Sequence, residues 1–60
     1  NDLGFRQVAY LMQAGKAGEA EELMFRMAMR HAEGLNDLEE YYPEIKNNLL
    51  YIELRKQLPS

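Results

Sequence analysis

The segment IKNNLLYIELRKQL, residues 45–58, decides which fold the sequence predicts. If the segment is one α-helix, successive residues lie about 100° apart around its axis. Ile45, Leu49 and Ile52 then share one side. The opposite side carries four more apolar residues, Leu50, Tyr51, Leu54 and Leu58. Because a surface helix needs only one apolar face, the second face must be covered by something else.

The rest of the chain also predicts helices. The expected elements are helices at residues 2–14, 18–33 and 43–57, with a capped turn at residues 36–42. Threonine is absent, and the other β-branched residues are one valine and two isoleucines, so no strand pattern occurs. Gly15 and Gly34 are expected to end the first two helices. Asn36 with Glu39 resembles a capping box, and Pro43 suits the first position of a helix.

The stretch AYLMQAGKAGEAEELMFRMAM, residues 9–29, resembles one tetratricopeptide helix hairpin. Gly15 stands at the turn of the family hairpin. Ala20, preceded by Glu19, stands where the second helix packs a small residue, and Met24 stands at a large apolar position. The sequence departs from the family pattern at Gly4, Val8 and Met27. The resemblance implies an antiparallel pair, residues 5–12 against residues 20–31. It implies no peptide-binding function, because such repeats need about three copies to bury a core.

Length and composition indicate one small domain, residues 1–60, that needs a partner chain. The 60 residues are 47% hydrophobic and 28% charged, which is typical of a globular chain. A domain this short is marginally stable alone, and the absence of cysteine excludes disulfides and thiolate metal sites. The net charge of −3 argues against nucleic acid as a partner. No apolar run is long enough for a membrane span, so a cytoplasmic protein is expected.

Enzymatic activity is not expected from these residues. The chain has no Cys or Thr, its one Ser is Ser60, and its one histidine, His31, aligns with apolar neighbours on its helix. The carboxylates Glu21, Glu22, Glu39 and Glu40 do not form the Glu-x-x-His pattern of helical metal sites. We therefore predict no catalytic residue, no metal, no cofactor and no small-molecule substrate.

The second helix also carries more apolar surface than one core contact needs, because Phe25 and Met29 lie away from its main apolar face. Its one polar strip carries Glu19, Glu22, Arg26, Arg30 and Glu33. Two-fold self-association is the commonest way to cover such surfaces. The sequence thus predicts an all-α, three-helix protomer, a hairpin plus a third helix, in an intertwined homodimeric bundle. The expected dimer interface consists of Leu50, Tyr51, Leu54, Leu58, Phe25 and Met29.

The leading functional hypothesis is a small non-enzymatic protein–protein interaction module or regulator, bacterial or bacteriophage in style, that also docks on an unidentified protein. The expected partner-binding residues are Asp37, Glu39, Glu40, Tyr41, Tyr42 and Glu44. Acidic side chains suit a basic surface, and tyrosines are favoured in contact patches. One alternative is a nucleic-acid-associated regulator that uses Arg55 and Lys56 from both chains of the dimer. Another is a helical fragment of a larger protein.

Overall fold

A computed structural model describes the backbone of residues 2–58 and the side chains of residues 4–58. Within this part the chain is all-helical, as predicted, and contains no strand. The elements are α1 (Asp2–Gln13), α2 (Ala17–Arg30), α3 (Gly34–Tyr41), a 3-10 helix (Pro43–Asn47) and α4 (Leu49–Gln57). Residues 2–58 therefore hold four α-helices, where the sequence predicted three.

The α1–α2 hairpin forms as expected. Gly15 adopts a φ of 81°, a left-handed conformation that glycine tolerates without strain. Just beyond the turn, the Lys16 amide donates to the Leu11 carbonyl at 2.9 Å. At the other end of the hairpin, a Cβ on Gly4 would overlap the Met27 side chain. The start of α1 thus lies against the end of α2, so the two helices are antiparallel.

The predicted capped turn at residues 36–42 is wrong, because residues 34–41 form the helix α3. Asn36 lies inside that helix. The N-cap residue of α3 is Glu33, whose side chain makes no capping hydrogen bond. Gly34 begins α3 instead of ending α2. A Cβ at Gly34 would overlap the Phe5 ring, so the missing side chain lets α3 approach α1 closely. This approach buries Leu35 and Leu38.

The predicted third helix at residues 43–57 is divided at Asn48. This residue is extended, with φ −80° and ψ 130°, and separates the 3-10 helix from α4. Its side-chain oxygen accepts a hydrogen bond from the Tyr51 amide at 2.9 Å, which makes it the N-cap of α4. The side-chain nitrogen Nδ2 of Asn48 donates to Glu21 Oε2 at 2.8 Å and so joins α4 to α2.

The break at Asn48 reverses the faces predicted for α4, whereas Ile45 is buried as predicted. Ile45 is fully buried, yet Leu49, four residues later, is 83% exposed. In a continuous α-helix those two residues would share a face. A 3-10 helix turns by about 120° per residue instead of 100°, and the extended Asn48 after it interrupts the helix. The faces of α4 therefore do not continue those of the preceding residues. Tyr51 and Leu54 are therefore only 2% and 4% exposed, so their predicted outward placement is wrong.

One apolar core connects all five elements. Its buried residues are Phe5, Val8, Ala9, Leu11, Ala20, Met24, Ala28, Leu35, Leu38, Ile45, Tyr51 and Leu54. α3 packs on α1, the 3-10 helix follows against α3, and α4 lies against α2. No buried side-chain nitrogen or oxygen in the described part lacks a hydrogen-bond partner. No helix among residues 2–58 has the length and apolar character to cross a bilayer.

Candidate interaction surfaces

The six residues of the predicted dimer interface do not form one surface. Tyr51 and Leu54 belong to the core of the chain itself. Leu50 and Leu58 are partly buried and pack against that core. The remaining two, Phe25 and Met29, are exposed as predicted, with 47% and 51% of their surface accessible.

Some apolar side chains of α2 and α4 are exposed. They are Phe25 and Met29 on α2 with Leu49 and Ile52 on α4, and we refer to these four residues as the apolar face. The hydrogen bond between Asn48 and Glu21 joins the two helices that carry them. Phe25 lies one helical turn beyond Glu21, and Ile52 lies one turn beyond Asn48. Residues four apart on a helix have Cβ atoms about 6 Å apart, so Phe25 and Ile52 each lie near this hydrogen bond.

The apolar face is bordered on α2 by a charged stripe, which we define as Glu19, Glu22, Arg26 and Arg30. All four side chains are exposed. Glu22 precedes Phe25 by three residues, and Arg26 precedes Met29 by three, which corresponds to about 60° around the helix in each case. The only ion pair among the described side chains joins Arg55 to Glu39, so Glu22 and Arg26 do not pair within the chain.

A shallow groove lies on the far side of the charged stripe. Its volume is about 200 Å³, and it is lined by Leu23, Arg26, Met27 and Arg30. Two apolar side chains and two guanidinium groups therefore line the same space. Arginine binds carboxylates through paired hydrogen bonds, and the neighbouring apolar surface suits the methylene groups of an acidic side chain.

The predicted acidic, tyrosine-bearing surface is divided by the fold. Asp37, Glu40 and Glu44 are exposed, whereas both tyrosines are partly buried against the core. The Arg6 guanidinium lies 5.0 Å from the centre of the Tyr41 ring. The Tyr42 hydroxyl donates to Glu44 at 3.3 Å, and partial burial together with this carboxylate raises the pKa of Tyr42. Docking through this segment stays a prediction, carried by its three exposed carboxylates.

Glu39, the remaining residue of that prediction, is partly buried. It accepts a hydrogen bond from the Tyr51 hydroxyl, which also lies 3.4 Å from the Leu35 carbonyl oxygen. Arg55 Nε lies 3.9 Å from the same carboxylate. Burial, followed by the hydrogen bond to Glu39, raises the pKa of Tyr51 well above its ordinary value, although Arg55 opposes this shift. The cluster ties α3 to α4.

This cluster also bears on the nucleic-acid alternative. Arg55, one of the two residues proposed for phosphate contacts, is paired with Glu39 and stands near the Tyr51 ring at 5.8 Å. Lys56 is exposed. The sequence contains no signal for the cluster, because its members are brought together only when α4 folds back on α3.

The described residues contain no group of three or more His, Cys, Asp or Glu side chains that could hold a metal ion. No protein-family model, curated protein or solved structure matches this chain.

Proposed function

We propose that this chain is a non-enzymatic protein–protein interaction module that self-associates as a homodimer through the apolar face. The observation that carries the proposal is that Phe25, Met29, Leu49 and Ile52 stay exposed although the chain has closed its core. We take the four to form one patch beside the joint between α2 and α4, and exposed apolar patches mark interaction sites in small proteins. The proposal concerns two closed protomers, because the buried residues of α4 already have partners within the chain.

The strength of such a contact follows from the exposed apolar surface. The exposed fractions of the four side chains add up to roughly two fully exposed residues. Both copies cover this surface in a dimer, so about four fully exposed residues are buried, and at about 1.5–3 kcal/mol for each large apolar side chain this contributes roughly 6–12 kcal/mol. Association itself costs about 4–15 kcal/mol in lost freedom, so the apolar face alone leaves little net affinity. Stable association needs further contacts next to it.

The absence of cysteine supports a cytoplasmic setting for this module. We also propose that the module is a regulator that docks on a second protein. We assign this contact to the three exposed carboxylates Asp37, Glu40 and Glu44. The nucleic-acid alternative is less well supported, because Arg55 is engaged by Glu39.

The test is the mass of the protein in solution across a hundredfold range of concentration, measured by sedimentation. The wild type should reach the mass of two chains. A variant with Met29→Ser and Leu49→Ser should stay at one chain, and a control with Gln7→Ser and Gln13→Ser, both exposed on α1, should behave like the wild type. Circular dichroism verifies that each variant is folded. A wild type that remains a single chain throughout overturns self-association.

A further inference from the structure

We infer that the second copy docks with its α2 antiparallel to α2 of the first, about a two-fold axis near Phe25. In this arrangement Glu19 and Glu22 of each copy face Arg30 and Arg26 of the other. The inference rests on the proposed self-association and specifies how the two copies are oriented.

The position of the charged stripe is the first reason. Glu22 and Arg26 lie next to Phe25 and Met29 on α2, Glu19 and Arg30 lie farther around the helix, and all four are exposed. A helix laid over the apolar face therefore also meets this stripe. Whatever covers Phe25 and Met29 must present charges that complement those of the stripe, because unpaired charges at a contact oppose binding.

The order of the charges is the second reason. The first half of the stripe is acidic and the second half is basic. When two identical helices pack antiparallel, the same stripe of each lies on one side of the seam and runs in opposite directions. Acidic residues of one copy then face basic residues of the other. In a two-fold contact this pairing occurs twice, since each residue that contacts a partner is contacted in the same way.

The spacing gives the third reason, because both pairs define the same axis. The point midway between positions 22 and 26 is position 24, and the point midway between positions 19 and 30 lies between positions 24 and 25. Met24 is buried in the core, whereas Phe25 is exposed. The two-fold axis therefore passes beside Phe25, whose ring meets its counterpart there. Aromatic pairs of this kind stabilise contacts beyond the area they bury.

The side chains are also available for these contacts. Among the described side chains, neither arginine of the stripe is within ion-pair distance of a carboxylate. The groove beside them offers Leu23 and Met27 to the methylene groups of an approaching glutamate. Exposed ion pairs contribute little affinity each, so their main effect is to select this orientation over the alternatives.

The experiment gives the stripe a single sign of charge. One variant carries Glu19→Arg and Glu22→Arg, and the other carries Arg26→Glu and Arg30→Glu. Each variant alone should have a dissociation constant raised by about tenfold or more, because four attractive contacts become repulsive. An equimolar mixture of the two should recover the mass of two chains at low salt. A control matched to the first variant, Asp37→Arg with Glu40→Arg on α3, raises the net charge by the same amount and should dimerise like the wild type.

The outcomes separate this inference from the proposed function. If the wild type dimerises and both single-sign variants dimerise equally well, the antiparallel orientation is overturned while the apolar face stands. If the variants are single chains and their mixture is too, the pairing is also overturned. Wild-type assemblies that grow beyond two chains overturn the two-fold axis. A wild type that never associates overturns both proposals.

A second variant covers the case in which the charge changes unfold α2. Because the chain contains no cysteine, Phe25→Cys introduces a single thiol. Disulfides require Cα atoms roughly 4–7 Å apart, so rapid oxidation to a covalent dimer is expected only if the two position-25 residues meet at the axis. Asp37→Cys is the control for random collision. Equal oxidation rates for the two variants overturn the proposed axis.

Discussion

Replacing Leu54 and Leu49 with alanine, one at a time, tests which face of α4 is buried. Both residues are leucines of the same short helix, so the chemical change is identical. Leu54 is 4% exposed and Leu49 is 83% exposed. Removing a buried leucine side chain costs about 2–5 kcal/mol, and the lower half of this range applies here because a nine-residue helix at the surface can relax. Leu49→Ala removes almost no buried surface and should change stability by less than about 0.5 kcal/mol.

The measurement is urea unfolding followed by circular dichroism, at a protein concentration where single chains dominate. A 60-residue domain has a total stability of roughly 3–9 kcal/mol, so the loss at Leu54 is a large fraction of it. A milder pair uses the same reasoning if Leu54→Ala fails to fold. Ile45→Val should cost about 0.5–1.5 kcal/mol, and Ile52→Val, at a position that is 36% exposed, clearly less.

Repeating the unfolding at a hundredfold higher concentration adds information on association. The wild type should gain stability with concentration, and Leu49→Ala should gain less, because position 49 lies on the apolar face. The reasoning is refuted if Leu49→Ala is as destabilising as Leu54→Ala in the dilute sample. That result would mean that residues 43–57 form one continuous helix with Leu49 directed at the core.

Three further predictions concern the contacts that position the helices. Asn48→Asp keeps the helix cap but sets a carboxylate against Glu21, so it should lower the free energy of unfolding in urea by about 1–3 kcal/mol. Adding Glu21→Gln to this variant should restore most of the loss. Equal stability of the single and double variants would contradict the observed hydrogen bond between Asn48 and Glu21. Gly34→Ala should lower the melting temperature through overpacking worth about 1–3 kcal/mol, whereas Gly18→Ala, in open space on α2, should be neutral or slightly stabilising. Because its pKa is raised, Tyr51 stays protonated in the folded chain at a pH at which the same tyrosine ionises in the unfolded chain. The contribution of Tyr51 to stability is therefore complete below about pH 10 and is lost as the pH rises further. Thermal melting from pH 8 to 12 should show this loss of stability, and Tyr51→Phe should make the loss smaller.

Local features of the sequence were sufficient for part of the fold. Helical periodicity and the scarcity of β-branched residues predict an all-helical chain, and this is confirmed. The turn at Gly15 is confirmed for the same reason, since a left-handed residue between two helices is a local requirement that glycine meets. The exposed positions of Phe25 and Met29 also follow from periodicity, because α2 is long and continuous.

The tertiary structure decided where helices begin and which residues of the second half are buried. The sequence predicts that Gly34 ends a helix, yet it begins α3, because the absence of a side chain there allows contact with the Phe5 ring. Asn48 breaks the last helical segment and binds Glu21, and this sets which face of α4 meets the core. Periodicity fixes the angle between residues within one helix, but it carries no information across a break. The side of α4 that stays exposed was therefore determined by packing between helices that are distant in sequence.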